Sequence, residues 1–256
     1  MSQQLHQSDP RVLERRTLDQ DHRVLAKLLQ PGMTVLDVGC ATGAITAGIA
    51  ERVGSSGKVM GIDRDEPLLA IARVHHAHLP QLSFEVGDAL TLAYDRRFDI
   101  VTASRVLQWT SDPGAAIVRM KVALKPGGML VVLDYNHEDN SWNPEPPAAF
   151  QDFYRSFLCW RNANQWDNKM ADHLPILLQA AGFSGIEISP SNEVAGRGDA
   201  ASHIWAHAME TIGEKISQAG FYEATGLPLA KQEYEAYVAD SLREQRLRLD
   251  TVTGKR

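Results

Sequence analysis

The chain has little cysteine: Cys40 and Cys159 are the two in 256 residues, they form no metal-type pair, and this usage suits a reducing compartment without a disulfide framework. No run reaches the ~18 apolar residues that suggest a membrane span. The polar stretch Met1 to Pro10 also has no basic region followed by an apolar core, so a cytoplasmic chain with no membrane partner is the default expectation. Basic excess is missing as well. With 26 Lys and Arg against 32 Asp and Glu, the net charge of -6 gives no general pull toward nucleic acid or anionic lipid. Several catalytic signatures are absent. Gly182-Phe183-Ser184-Gly185 lacks the G-x-S-x-G spacing, Val53 to Lys58 lacks that of a phosphate loop, and His203 is followed by Ile204 rather than the glutamate of H-E-x-x-H. His75, His76 and His78 close a predicted helix without converging on one ion, so no metal site is expected. What remains is 44% hydrophobic content in a length that suits one large α/β domain, 1–256, with residues to spare for a lid.

The sequence is organised around Val35-Leu36-Asp37-Val38-Gly39-Cys40-Ala41-Thr42-Gly43-Ala44-Ile45. It predicts a short apolar strand, a turn of small residues and a helix running to about Val53. Gly39 and Gly43, with Cys40 and Ala41 between them, let a ligand approach the backbone, and the first amides of the helix face it. A dinucleotide fingerprint begun at Gly39 would need a glycine where Ala41 stands. Asp37 argues the same way, because a carboxylate just before the turn repels a pyrophosphate and attracts an ammonium or sulfonium. Lys58 to Ile62 predicts the second strand, ending at Asp63, where a carboxylate can accept from both hydroxyls of a ribose. Arg64 follows it in the candidate site. Asp65 fits best as the cap of the next helix.

These residues resemble the class I S-adenosylmethionine-dependent methyltransferases. Val35 to Gly43 is similar to their first motif, and Gly61-Ile62-Asp63, Gly87-Asp88-Ala89 and Leu124-Lys125-Pro126-Gly127-Gly128 follow in the family's order and spacing. The resemblance implies a doubly wound Rossmann-like sheet of seven strands, order 3-2-1-4-5-7-6, with the last strand antiparallel and formed by Arg246 to Val252. It implies S-adenosylmethionine as cofactor and S-adenosylhomocysteine as product. It also implies that Asp88 accepts from the adenine amino group beside the Ala89 amide, and that backbone carbonyls at Ser104 and Arg105 receive the methionine ammonium. Gln20 falls in a segment, Glu14 to Gln20, that resembles a cofactor-covering helix. That helix is expected to run from Ser8-Asp9-Pro10 to Pro31-Gly32. Trp109 is open to three roles: packing on adenine, lining the substrate pocket, or core.

Three segments are expected to form a lid: 1–30, 136–170 and 190–242. The second leaves the fifth strand, predicted as Met129 to Tyr135, and reads as a loop rich in aromatics. Tyr135, Asn136, Trp142, Tyr154 and Trp160 are therefore expected to line the substrate pocket. His137 is the candidate general base or acceptor-positioning group, on the ordinary imidazole pKa of about 6.5. The expected partner is a small molecule and the expected state a monomer or homodimer. Three competing functions stay open at this point: an RNA or protein methyltransferase, a non-catalytic cofactor-binding protein, and an NAD-dependent oxidoreductase, against which Ala41 and Asp37 speak.

Overall fold

The computed structural model describes residues 10–256, so the helix-start signal at Ser8-Asp9 lies outside the described residues. The helices are α1 (Pro10–Leu13), α2 (Leu18–Asp21), α3 (Arg23–Leu28), α4 (Ala44–Val53), α5 (Glu66–His75), α6 (Pro113–Ala123), α7 (Ala148–Ala163), α8 (Met170–Ala180), α9 (Ile204–Gln218) and α10 (Leu227–Asp240). The strands are β1 (Thr34–Val38), β2 (Lys58–Asp63), β3 (Leu82–Val86), β4 (Phe98–Ser104), β5 (Leu124–Asn143), β6 (Ser184–Pro190), β7 (Glu193–Ala195) and β8 (Glu244–Lys255). Sheet order is β3-β2-β1-β4-β5-β8-β6. β1 pairs in parallel with β2 and β4, whereas β6 runs antiparallel to β8. This is the expected order, with one addition: β7 pairs antiparallel with Gln245 to Leu247 of β8.

The backbone groups into two compact units. One contains 10–134, 170–191 and 249–256; the other contains 135–169 and 192–248. In the first, side chains alternate across the sheet as the strand period of two demands. Leu36, Val38, Met60, Ile62, Val101 and Ala103 enter one core layer with α6 and α8, while Val35, Val59 and Ile100 enter the opposite layer with Ile49, Ala50 and Val53 of α4. Both faces are covered, as parallel sheets require.

The expected single N-terminal helix is instead three short ones. Thr17 is extended and caps α2, its Oγ accepting from the Gln20 amide at 3.2 Å, and His22 (φ -146°) breaks the run between α2 and α3. The break has a cause in the core: the His22 ring is buried and its Nε2 lies 3.0 Å from Thr102 Oγ on β4.

The second unit corrects the aromatic-loop expectation. β5 runs on through Asn143 rather than ending at Tyr135, and α7 fills most of the supposed loop. Phe150, Phe153, Tyr154, Phe157, Trp160 and Arg161 form its buried face. Their spacing is that of an amphipathic helix. Around them pack Trp142, Trp205 and Tyr234, with ring centroids 4.3 Å apart for Phe150–Tyr234 and 4.8 Å for Tyr154–Trp205.

Candidate functional site

At the carboxyl ends of β1 to β4, the glycine turn, Asp63, Asp88 and Ser104 stand on neighbouring strands in register, with Val38 paired to Ile62 and Asp63 to Val86. The turn is built on β2. Gly39 and Cys40 both donate to the Ile62 carbonyl, at 2.7 and 3.0 Å, and the Ala41 amide donates to Asp63 Oδ2 at 2.8 Å. Gly39, Ala41 and Gly43 all have positive φ, at 75°, 50° and 77°. Packing behind the turn makes two glycines obligatory. A Cβ on Gly39 would drive into the Val106 side chain, and one on Gly43 would lie 2.6 Å from Phe84 Cζ. We expect Gly39→Ala to cost about 2 to 4 kcal/mol of stability, combining left-handed strain with overpacking. Adding Val106→Ala should recover the overpacking share but not the strain, which denaturant titration of both variants measures.

Two carboxylates line the turn. Asp37 is buried and takes a hydrogen bond from Thr46 Oγ of α4 at 2.7 Å. Burial pushes its pKa up to about 7, against the opposing Thr46 hydrogen bond and with a smaller contribution from the Asp63 charge. Asp63 Oδ1 accepts from the Asp65 amide at 2.9 Å, so the residue expected to face a ribose also holds both the turn and the start of α5. Burial raises its pKa too, against the backbone hydrogen bonds it accepts. The Cys40 thiol beside them is pushed well up by burial and by both carboxylates. Asp65 caps α5 as the sequence suggested, accepting from the Leu68 amide.

Asp88 Oδ1 accepts from the Leu90 amide at 2.8 Å, and the Gly87 amide donates to the Asp63 carbonyl at 3.0 Å, tying the β3 end to the β2 end; Ala89 is buried behind them. Ser104 Oγ accepts from Arg105 Nη1 at 2.8 Å. Arg105 is buried in a left-handed conformation (φ 62°), and its carbonyl accepts from Gln108 Nε2 at 3.3 Å. Trp109 is half-buried, while Gln20 and Arg64 are exposed.

The remaining candidates belong to the second unit. Tyr135 is buried and stacks on His137 at 4.8 Å, and its hydroxyl donates to Glu193 Oε2 at 3.4 Å. Asn136 does not present a free amide: its Oδ1 accepts from the Glu138 and Asp139 amides, and its Nδ2 donates to Asp139. Trp142 donates to Gln245 Oε1 at 3.0 Å, Tyr154 donates to the His137 carbonyl, and Trp160 packs edge-on against Trp166. Tyr154 and Trp160 are buried and Trp142 is half-buried, all three on or against the apolar face of α7. His137 departs from its expectation in protonation. It is a buried strand residue whose pKa is held well below 6.5 by burial and then by the Arg161 charge, so it stays a neutral imidazole near neutral pH.

Sequence reasoning missed Thr46, His22 and His76. His76 Nε2 lies 3.2 Å from the Thr42 carbonyl, behind the glycine turn. Only the helical phase from Gly43 could have singled out Thr46, three residues into α4, and nothing local marks His22. Among the described residues no His, Cys, Asp and Glu group is arranged to hold a metal, and no helix is long and apolar enough to cross a membrane.

A family defined by its methyltransferase domain matches residues 29–182, from the end of the α3 region to the end of α8. The chain belongs to the class I S-adenosylmethionine-dependent methyltransferases. A demethylmenaquinone methyltransferase of Lactococcus lactis is 30% identical over 190 residues, covering 68% of this chain and 73% of the relative. A 2-phytyl-1,4-naphtoquinone methyltransferase of Thermosynechococcus vestitus is 38% identical over 146 residues, 57% of this chain and 60% of that one. Several curated relatives are matched over only 30–60% of their own length. In fold, the chain resembles a Haemonchus contortus phosphoethanolamine N-methyltransferase bound to S-adenosylhomocysteine, with a TM-score of 0.60, 19% identity, and coverage of 93% of this chain and 53% of that one.

Proposed function

We propose that this chain transfers the methyl group of S-adenosylmethionine to a nucleophilic atom of a small molecule. The observation that carries the reading is the Asp37 to Gly43 turn, clamped to Asp63 through the Ala41 amide at 2.8 Å. The donor set fits this cofactor. Two carboxylates, Asp37 and Asp63, line the turn, which suits a ligand with positive groups and ribose hydroxyls better than one with a pyrophosphate. Relatives named for demethylmenaquinone and a phytyl naphthoquinone support a small organic acceptor.

When bound, the cofactor supplies an electrophilic methyl group with a neutral thioether as leaving group. The protein's part is alignment and exclusion of water. Asp37 balances the positive end, the amides after Gly43 and the carboxylate of Asp63 hold the nucleoside, and Asp88 with the Ala89 amide faces the adenine edge. The Ser104 and Arg105 carbonyls receive the ammonium, Arg105 while also accepting from Gln108. Gln20 and Arg64, both exposed, close the cofactor site from outside. Trp109, half-buried after β4, serves the acceptor. His137, neutral and stacked on Tyr135, positions groups rather than ionising near pH 7.

The purified protein should bind S-adenosylmethionine and S-adenosylhomocysteine by calorimetry and should not bind NAD. Tighter binding of NAD would overturn the assignment. Formation of S-adenosylhomocysteine with a panel of small hydroxylated aromatic acceptors, and none with tRNA or histone substrates, separates the small-molecule reading from its macromolecular rivals. Binding without turnover on any acceptor would leave a cofactor-binding protein.

A further inference from the structure

We propose that this protein takes up its cationic cofactor in exchange for a proton: the Asp37 carboxyl group, protonated in the free site, gives its proton to solvent as the positive end of the cofactor arrives. The inference rests on the cofactor reading above and deepens it.

The geometry supports it from three sides. Asp37 is 3% exposed, and among the described residues its hydrogen bond comes from the Thr46 hydroxyl alone, a neutral donor that leaves Oδ1 without a hydrogen-bond partner. No Lys, Arg or His among the described residues makes an ion pair with it. The groups that face it are the Thr46 hydroxyl from α4, the second carboxylate Asp63 from the end of β2, and the Cys40 thiol of the turn, which its own burial keeps protonated. A buried carboxylate among such neighbours is costly to ionise. Consistent with that, its pKa sits at about 7 rather than 3.8.

A ligand cation placed beside Asp37 reverses the balance, since opposite charge favours the ionised form. Linkage fixes the sign. The free site binds the proton more tightly than the occupied one, so affinity falls as pH drops through the free-site value. With that value at about 7, Kd should rise roughly tenfold between pH 7 and pH 5.5. Above pH 7 the dependence should level off, until the cofactor's own α-amino group begins to lose its proton at about 7.7 to 8.0. The balance is one O–H bond broken on Asp37 and one proton delivered to buffer, with no change of oxidation state.

The test is calorimetry at pH 6.5 in two buffers of different ionisation enthalpy, with S-adenosylmethionine as ligand. Methylthioadenosine, which shares the adenosine but lacks both cations, serves as control. Wild type should release most of one proton with S-adenosylmethionine and almost none with methylthioadenosine. Asp37→Asn, which keeps the shape and the Thr46 hydrogen bond without the charge, should bind S-adenosylmethionine more weakly, with flat affinity from pH 5.5 to 7 and no proton release. Binding by wild type with no buffer dependence overturns the proposal and leaves the cofactor assignment standing. Undiminished release from Asp37→Asn overturns it as well, by moving the titrating group elsewhere. Failure of wild type to bind S-adenosylmethionine at any pH overturns the cofactor reading itself.

Discussion

Asp63→Ala is expected to weaken S-adenosylmethionine binding by about 2 to 4 kcal/mol, roughly 30- to 1000-fold in Kd. Two losses add. The first is the charge-assisted pair of hydrogen bonds to the ribose. The second lies within the protein: Asp63 Oδ2 anchors the amide of Ala41, a non-glycine residue held at φ 50°. Without that anchor only the Gly39 and Cys40 amide bonds to the Ile62 carbonyl oppose the strain of a left-handed alanine, about 1 to 2 kcal/mol, and the turn loosens before any ligand arrives. Asp63→Asn separates the two in part, because its single amide oxygen can still accept from the Ala41 N–H while the charge toward the ribose and the hydrogen bond from the Asp65 amide are gone. It should lose less affinity than the alanine variant. Stability gives an independent check. The folded-state pKa of Asp63 lies above its ordinary 3.8, so the stability tied to its proton is present below 3.8 and is lost as pH rises through the folded value. The stability of Asp63→Asn should therefore fall less than that of wild type as pH rises above 3.8 in thermal melts. Equal Kd values for Asp63→Ala and wild type would place the ribose, and the purpose of this clamp, elsewhere.

The double role of Asp63 shows where sequence reasoning reached and where it stopped. The strands and the glycine turn were legible because both are written locally, in alternating apolar residues, in glycines that must take positive φ, and in Asp65 at a helix start, whereas the sheet order came only from the resemblance to the methyltransferases. The aromatic segment was legible too, but by its period: buried residues at 150, 153, 154, 157, 160 and 161 follow a helical face, and weighing composition over spacing turned α7 into a loop. Asn136 to Asn143 escaped because its strand is built from polar residues satisfied by groups far along the chain, such as Asn140 Oδ1 accepting from the Arg248 amide at 2.7 Å. No local pattern carries such a pairing. The same holds for His22, whose partner Thr102 lies 80 positions away, and for the protonation of His137, which depends on what buries it rather than on its neighbours in sequence.

Arg161→Met should cost about 3 to 5 kcal/mol of stability. Its guanidinium is fully buried; Nε donates to Asn168 Oδ1 at 2.7 Å, Nη2 donates to the Asp167 carbonyl at 3.1 Å, and Cζ lies 5.4 Å from the centre of the Phe157 ring. Methionine fills much of the volume but donates nothing, so the buried Asn168 Oδ1 loses a charged partner. Asn168 is the junction of this unit: its Nδ2 donates to the Leu158 carbonyl and Asn162 Oδ1, and its own carbonyl accepts from the His137 amide at 2.7 Å. The loss should therefore spread from the end of α7 to β5. Replacing Asn168 by leucine in the same chain removes the orphaned acceptor, and the double variant should recover part of the cost, since a matched apolar pair avoids the unmet desolvation. The substitution also tests what holds His137 neutral. Burial is the larger cause and the Arg161 charge the smaller, so the His137 pKa followed by NMR should rise in Arg161→Met yet remain below 6.5. Since the folded value is the lower one, stability from His137 is complete above 6.5 and falls away as pH drops below it, and that acid sensitivity should be smaller in the variant. A His137 resonance titrating near 6.5 in the wild type would restore it as a base that works at neutral pH. An Arg161→Met variant as stable as wild type would mean that the junction holds through Asn168 alone.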